Sequence, residues 1–352
     1  MKPLRIGIVG GGGIVRTRHM PGLAAIDGIE IVAVCNRRRA SAERFAADFG
    51  IPRVVDRWED VVAMDDVDIV WIGTTPYLHC PIATAALAAD KHVFCQARMC
   101  MDLDEALTMV AAADAHPDLA VRICPPPMGM AGDRTMRRLL RKERLVGDVR
   151  HVRLRNLAST LLDPDYPLHW RIQREQSGLN VAALGIYVEV LNRWLAPATH
   201  VATMSRIWTQ HRRHPDTGEP AAVEIPESVN ILVDLADGAL GVYEVNGVSA
   251  HAPGDALEIY GTEGTIVYHF GDDRIEAARR GETSLRPVPI PANERCDWSV
   301  EADFVHQVRA GEKIGLAPDF REGLKYMAFL EAVHRSAATG EAVRVSEQGR
   351  SK

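Results

Sequence analysis

The chain has 352 residues, 47% of them hydrophobic and 25% charged, and a formal net charge of -6 at pH 7. Its composition is that of a globular protein, and its length predicts two domains rather than one. No apolar run approaches the roughly twenty residues of a membrane span, and the first predicted strand begins too early for a signal peptide. The negative charge argues against a nucleic-acid partner, and the six cysteines lack the spacing of a metal site. We therefore expect a cytoplasmic protein without metal that binds a small molecule.

A glycine-rich turn follows the first predicted strand. The apolar run Leu4–Val9 leads directly into four glycines and then into an amphipathic segment, which predicts a strand, a tight turn and a helix. Gly10 and Gly12 occupy the first two positions of the dinucleotide fingerprint, where a missing side chain allows a sharp turn and a close approach to a pyrophosphate. Val15 stands where the third glycine is expected. The candidate pyrophosphate site comprises Gly10, Gly12, Gly13 and Ile14.

The second predicted strand ends where a dinucleotide-binding fold places the residue that contacts the ribose. Residues 29–34 are β-like and are followed by Cys35, Asn36 and Arg37. Asn36 does not repel a 2′-phosphate as a carboxylate does, and Arg37 can attract one, so the cofactor is either NAD or NADP. The basic cluster at 37–39 is equally explained as a solvated start of a helix.

Strands and helices alternate as far as residue 124. Strands are predicted at 54–56, 67–72, 91–95 and 119–124, with helices at 41–49, 58–64, 81–89 and 103–113. This alternation predicts a doubly wound parallel sheet in a dinucleotide-binding domain over residues 1–124. Ligands of such sheets bind at the carboxyl ends of the strands, so the functional loops should begin at Gly10, Asn36, Thr74, Gln96 and Pro125.

The pattern changes after the three prolines at 125–127. Longer strands are predicted at 149–156, 200–208, 229–235, 239–245, 256–260 and 265–270, which indicates an α+β domain over 125–352 with a large, mostly antiparallel open sheet. A loop at 163–171 and a helix at 179–194, carrying Asn180 and Tyr187 on one face, separate the first two strands. Helices at 301–309 and 321–337 end the chain and can pack back on the first domain. The apolar strand 229–233 on an open face predicts a homo-oligomer, a dimer or a tetramer.

Taken together, the order of these motifs resembles the glucose-fructose oxidoreductase, inositol dehydrogenase and MocA family over nearly the whole chain. The matching stretches are GIVGGGGI with His19, AVCNR, GTTPYLH with Pro76 and His79, KHVFC, Trp170-Arg171 and the helix EADFVHQVRAGE. The resemblance implies a nicotinamide nucleotide and, usually, hydride transfer on a sugar or polyol hydroxyl. It adds to the cofactor-binding candidates Thr74, Thr75, Pro76, His79, Gln96, Arg98, Trp170 and Arg171, with His79 expected to shape the cofactor loop rather than to catalyse.

The chain departs from the family at its catalytic positions. The family has a Glu-Lys-Pro motif where this sequence has Gln96-Ala97-Arg98, and an Asp-x-x-x-His pair where it has Ala183 and Tyr187. Alanine can neither polarise the reacting oxygen nor orient a base.

Three side chains are the candidates for the missing chemistry. Arg98 can steady an oxyanion, or it can form a salt bridge or contact a phosphate or ribose. The phenol of Tyr187, with an ordinary pKa of about 10, needs a nearby cation or dipole for acid-base work, and it can equally serve packing. His169 lies in a loop that can cover the substrate, although an exposed surface position is an equal expectation.

Three functions follow from these observations. The first is an NAD(P)-dependent oxidoreductase that acts on a small sugar-like or hydroxylated molecule through a non-standard proton path. The second is a non-redox lyase, hydrolase or hydratase with a tightly bound nicotinamide nucleotide. The third is a catalytically inactive nucleotide-binding protein. The sequence does not identify the substrate.

Overall fold

The computed structural model describes residues 3–348, and the contacts within them divide the chain into two compact units. The first unit runs to Pro125 and includes the later segment Ser299–Leu324, and the second comprises Pro126–Trp298 and the chain from Lys325 onward. The assignment of substrate binding and oligomerisation to residues 125–352 stays a prediction.

The first unit contains a parallel sheet of the doubly wound kind. Its six strands lie in the order β3-β2-β1-β4-β5-β6, and every described pair of neighbours is parallel. This order is typical of dinucleotide-binding folds, and the fold prediction is confirmed. All four residues of β4 are buried, as expected for an inner strand that is covered on both faces. The strands are β1 (Leu4–Val9), β2 (Ile29–Cys35), β3 (Arg53–Val55), β4 (Ile69–Ile72), β5 (His92–Cys95) and β6 (Val121–Ile123).

The helices up to residue 115 connect consecutive strands of this sheet in the predicted order, and Val300–Ala310 comes from the later segment of the chain. The first begins with π-helical turns over Val15–His19 and continues as the α-helix Met20–Ala24. The others are Arg39–Phe49, Trp58–Val62, the 3₁₀ turn Pro76–Leu78 with His79–Ala88, Leu103–Ala115 and Val300–Ala310.

The second unit contains a large, mostly antiparallel sheet, as the sequence predicts. Among the described residues its nine strands lie in the order β16-β15-β14-β13-β7-β12-β11-β8-β17, and only β7 and β12 pair in parallel. Its strands are β7 (Val149–Leu157), β8 (Ala198–Arg206), β11 (Ser228–Leu235), β12 (Leu240–Asn246), β13 (Ala256–Gly261), β14 (Gly264–His269), β15 (Arg274–Arg279), β16 (Arg286–Val288) and β17 (Val343–Arg344). A separate hairpin pairs β9 (His211–Arg213) with β10 (Pro220–Ala222). The helical segments within residues 126–298 are Asp133–Arg137, the π-helical turns Arg138–Lys142, the 3₁₀ turn Trp170–Ile172, Arg174–Ser177 and Leu184–Trp194. The helix Phe320–Thr339 begins in the residues of the first unit and ends in those of the second.

The helix predicted at 179–194 is shorter than expected. It begins at Leu184, because Ala182 has a φ of 41° in the left-handed region, where a right-handed helix cannot continue. Asn180 therefore precedes the helix, and the expectation that it shares a face with Tyr187 is wrong.

Buried and exposed residues alternate along β11 of the large sheet. In β11 the residues Val229, Ile231 and Val233 are buried, so their side chains do not supply an exposed apolar surface. The alternate residues of this strand point outward, and among them Leu232 is 61% exposed. None of the helices within residues 3–348 has the length and apolar character to cross a membrane.

Candidate active site

The turn after β1 is held against the turn after β4 by two glycines. A Cβ on Gly10, which has a φ of 94°, would lie 2.6 Å from the backbone of Gly73 and Thr74. A Cβ on Gly73 would lie 2.4 Å from both the Gly10 carbonyl oxygen and Cγ2 of Val15. Neither position can therefore take a side chain without displacing the turn. Gly73 also makes room for Val15, which replaces the third glycine of the fingerprint.

Open space lies on the outer side of the same turn. A Cβ on Gly13 would meet nothing within 4 Å, and one on Gly12 would meet only the Gly73 oxygen at 4.0 Å. Both glycines and Ile14 are exposed, so the backbone at the start of the first helical segment is accessible. This arrangement fits a pyrophosphate, because the first N–H groups of a helix have no partners within it.

Asn36 at the end of β2 supports the glycine turn directly. Its Oδ1 accepts a hydrogen bond of 2.6 Å from the Gly11 N–H, and its Nδ2 donates to Oγ of Ser41 at 3.1 Å. Arg37 is exposed, and Arg39 in the same basic cluster forms ion pairs with Glu43 and Asp56. Asn36 therefore lies where a ribose reader is expected, with its side chain already ordered.

His79 links the loop after β4 to the loop after β5. Its imidazole is fully buried, with Nε2 3.0 Å from the Thr74 oxygen and Nδ1 2.8 Å from the Arg98 oxygen. Burial lowers the pKa of His79, although the facing carbonyls oppose this shift. The position is that of a residue that shapes the loop containing Thr74, Thr75 and Pro76.

The loop after β5 is largely buried. Gln96 and Arg98 are only 7% and 5% exposed, and the peptide between Ala97 and Arg98 is cis. Gln96 contacts His19, which in turn lies 2.5 Å from Glu301. The guanidinium of Arg98 thus places a fixed positive charge in a poorly hydrated part of the first unit.

In the second unit, Tyr187 is paired with a carboxylate. Its hydroxyl donates a 2.5 Å hydrogen bond to Oδ2 of Asp255, which also accepts from Nδ2 of Asn156 at 2.9 Å. The other carboxylate oxygen accepts from the Leu157 N–H at 3.2 Å. Burial, and then the hydrogen bond to Asp255, raise the pKa of Tyr187 well above its ordinary value. Tyr187 therefore faces a carboxyl group and not the cation that would stabilise an ionised phenol.

His169, Trp170 and Arg171 form a short local structure. Nδ1 of His169 accepts a 3.2 Å hydrogen bond from the Arg171 N–H and so caps the 3₁₀ turn. The Arg171 guanidinium lies 4.2 Å from the centre of the Trp170 ring, within the range of a cation–π contact. His169 is half-buried, and this cap occupies one of its ring nitrogens.

A buried arginine anchors the irregular loop that leads to this turn. Arg212, 2% exposed, donates to the backbone oxygens of Leu161, Asp163 and Tyr166 and pairs with Glu227 at 2.7 Å. The loop is ordered by these bonds although it contains no strand or helix of its own.

The predicted site residues form separate groups in the two units. Gly10, Asn36, Thr74 and Gln96 all follow strands of one parallel sheet and lie at its carboxyl edge. Asp255, His19 and Glu301 were not identified as site residues from the sequence. Within residues 3–348 no group of three or more His, Cys, Asp or Glu side chains is arranged to hold a metal ion.

Two family models match the chain. Residues 4–122 match the oxidoreductase family with an NAD-binding Rossmann fold, and residues 134–267 match the GFO/IDH/MocA C-terminal domain. The chain belongs to the glucose-fructose oxidoreductase, inositol dehydrogenase and MocA family, and its N-terminal part is the NAD-binding Rossmann domain of that family.

Individual relatives agree with this assignment. Levoglucosan dehydrogenase of Pseudarthrobacter phenanthrenivorans is 24% identical, and the alignment covers 96% of this chain and 97% of that protein. A solved structure of levoglucosan dehydrogenase with NADH and L-sorbose has a TM-score of 0.84 at 22% identity, covering 98% of this chain and 99% of that one. An oxidoreductase domain protein from Kribbella flavida has a TM-score of 0.85 at 22% identity over 98% and 100% of the two chains. These structures establish the fold.

Proposed function

We propose that the protein is an NAD(H)-dependent oxidoreductase that acts on a hydroxyl group of a small, sugar-like molecule. The observation that carries the proposal is the open glycine turn at Gly12 and Gly13, beside an ordered Asn36. The substrate class is supported by the relatives, among which levoglucosan dehydrogenase has been solved with NADH and levoglucosan.

The residues of the first unit fit the nucleotide. The backbone of Gly12, Gly13 and Ile14 would bind the pyrophosphate, and Asn36 would contact the ribose beside it. Arg39 is already neutralised by Glu43 and Asp56, which leaves less positive charge for a 2′-phosphate and favours NAD over NADP. When bound, the nicotinamide supplies the acceptor or donor of the hydride.

The proton path would use Tyr187 and Asp255. We expect the proton of the substrate hydroxyl to pass to the Tyr187 oxygen as the phenol proton passes to Asp255. The 2.5 Å hydrogen bond already points the phenol proton at the carboxylate. This transfer does not require the phenol to ionise beforehand, which its raised pKa disfavours. Arg98 would steady negative charge as a fixed cation, and His169 would order the loop that carries Trp170 and Arg171.

The test has two stages. Purified protein is first titrated with NADH and with NADPH, and binding is followed by melting temperature. A panel of sugars, anhydrosugars and polyols is then incubated with NAD, and the absorbance of the reduced nicotinamide is measured. Failure of both nucleotides at millimolar concentration would refute the proposal.

A second candidate is a non-redox enzyme with a tightly bound nucleotide. The catalytic positions favour it, because the side chains that serve hydride transfer in the family are replaced here by Ala97, Ala183 and Tyr187. Substrate turnover with no net change in nicotinamide absorbance would select this candidate over the first. Nucleotide binding without turnover of any compound would indicate an inactive binding protein.

A further inference from the structure

His19 is enclosed inside the first unit, between its sheet and the helix Val300–Ala310. The imidazole is fully buried and lies edge-on to the rings of Trp71 and Phe94, with centroid distances of 5.1 and 5.3 Å. Its Nδ1 lies 2.5 Å from Oε1 of Glu301, and its Nε2 contacts Nε2 of Gln96. The two ring nitrogens therefore connect the helix to the first residue of the loop after β5.

The chemistry of these three groups fixes the positions of their protons. The atom of Gln96 that contacts the imidazole is its amide nitrogen, which only donates, so Nε2 of His19 is the acceptor. The imidazole proton then lies on Nδ1, where it faces Oε1 of Glu301. With its NH₂ group toward His19, the Gln96 amide cannot also turn its carbonyl oxygen to the imidazole.

The fold makes room for this arrangement. Glu301 is 2% exposed, and a Cβ on Gly22 would lie 2.5 Å from its Oε2. A carboxylate in such a place is costly unless it is hydrogen-bonded, so Glu301 and His19 stabilise each other. A glutamate at position 96 would put a second acceptor against the imidazole and would demand that both ring nitrogens carry protons. Glutamine is thus the residue that suits a neutral His19.

We propose that His19 and Glu301 are positioning residues for the nucleotide site. Through the Nδ1–H tautomer they hold the Gln96 amide in one orientation, in which its carbonyl oxygen is offered to the nucleotide as a hydrogen-bond acceptor. The inference rests on the nucleotide-binding part of the proposed function, and it adds two buried residues whose side chains act through Gln96.

The tautomer is tested by nitrogen NMR of the protein carrying isotope-labelled histidine, without nucleotide or substrate. The His19 signal, one of 13, is assigned by its loss in His19→Gln. We expect a neutral Nδ1–H imidazole in the wild type and a doubly protonated imidazolium in Gln96→Glu. A wild-type Nε2–H tautomer or imidazolium would overturn the proposal that His19 orients the Gln96 amide.

The effect on the nucleotide site is measured as NADH affinity. Glu301→Gln should yield a mixture of tautomers, because an amide can accept or donate, and should weaken NADH binding by about tenfold. Glu312→Gln removes an exposed carboxylate of the same unit and should bind NADH like the wild type. A folded Glu301→Gln with unchanged affinity would overturn the positioning role. If the wild type fails to bind NADH, the proposed function and the role of Gln96 toward the nucleotide are both refuted. The tautomer of His19 then still shows whether the imidazole orients the Gln96 amide.

Discussion

The substitution Gly12→Ala separates nucleotide binding from stability. In the free protein a Cβ at this position would have only the Gly73 oxygen near it, at 4.0 Å, so we expect the fold to accept alanine. A bound pyrophosphate would occupy the same space, since the second glycine of the fingerprint allows the backbone to approach it. A methyl group forced into a filled space costs about 1 to 3 kcal/mol. NADH affinity should therefore fall by about 5- to 150-fold.

The assay is a titration with NADH of the wild type and three variants, each with its melting temperature. Gly271→Ala, which would also meet nothing within 4 Å, is the neutral control for both measurements. Gly73→Ala is the opposite control, since its Cβ would lie 2.4 Å from the Gly10 oxygen, and it should lower the melting temperature. Wild-type NADH affinity in Gly12→Ala would refute the placement of the pyrophosphate on this turn.

Three further results are expected. Tyr187→Phe should reduce turnover of the true substrate by about 10²- to 10⁴-fold with NADH affinity unchanged, and a wild-type rate would remove the phenol from the proton path. If the protein is a homo-oligomer through its open sheet face, light scattering should show Leu232→Asp dissociating, while a monomeric wild type at micromolar concentration would contradict the prediction. Burial lowers the pKa of His334 in the folded protein below its ordinary value of about 6.5. Between these two pKa values the unfolded chain binds more protons than the folded protein, so the free energy of unfolding falls as the pH is lowered. His334→Gln, which can keep the donor to the Leu179 oxygen, should flatten this dependence in denaturant titrations, whereas exposed His211→Gln should not.

The first unit could be predicted closely because its signals are local. An inner parallel strand is a short apolar run, and the glycines after β1 specify the turn whatever the rest of the chain does. The same holds for the long alternating strands of the second unit. Strands β16 and β17 were missed because they are short and lie at the two edges of the sheet, where few residues need burial. Strand β15 lies between β14 and β16 but was also missed, because only Ile275 and Ala277 among its six residues are buried.

The buried polar contacts could not be read from the sequence. His19 and Glu301 are 282 positions apart, and nothing next to either residue marks the other as its partner. The start of the helix at Leu184 depends on the left-handed conformation of Ala182, a residue type that ordinarily favours helix. In both cases tertiary packing decides the outcome against local preference.

Tyr187 shows how the structure changes a chemical argument. From the sequence, a phenol at this position acts as a base only if a cation or dipole lowers its pKa, and the aspartate expected four residues earlier is an alanine. The structure supplies a carboxylate after all, but from Asp255, 68 positions away and just before β13. That carboxylate raises the pKa of the phenol and so opposes ionisation before the substrate binds. It also gives the phenol proton a destination, which an isolated tyrosine lacks. A mechanism that uses Tyr187 must therefore move two protons together, from substrate to phenol and from phenol to Asp255, rather than begin from a phenolate.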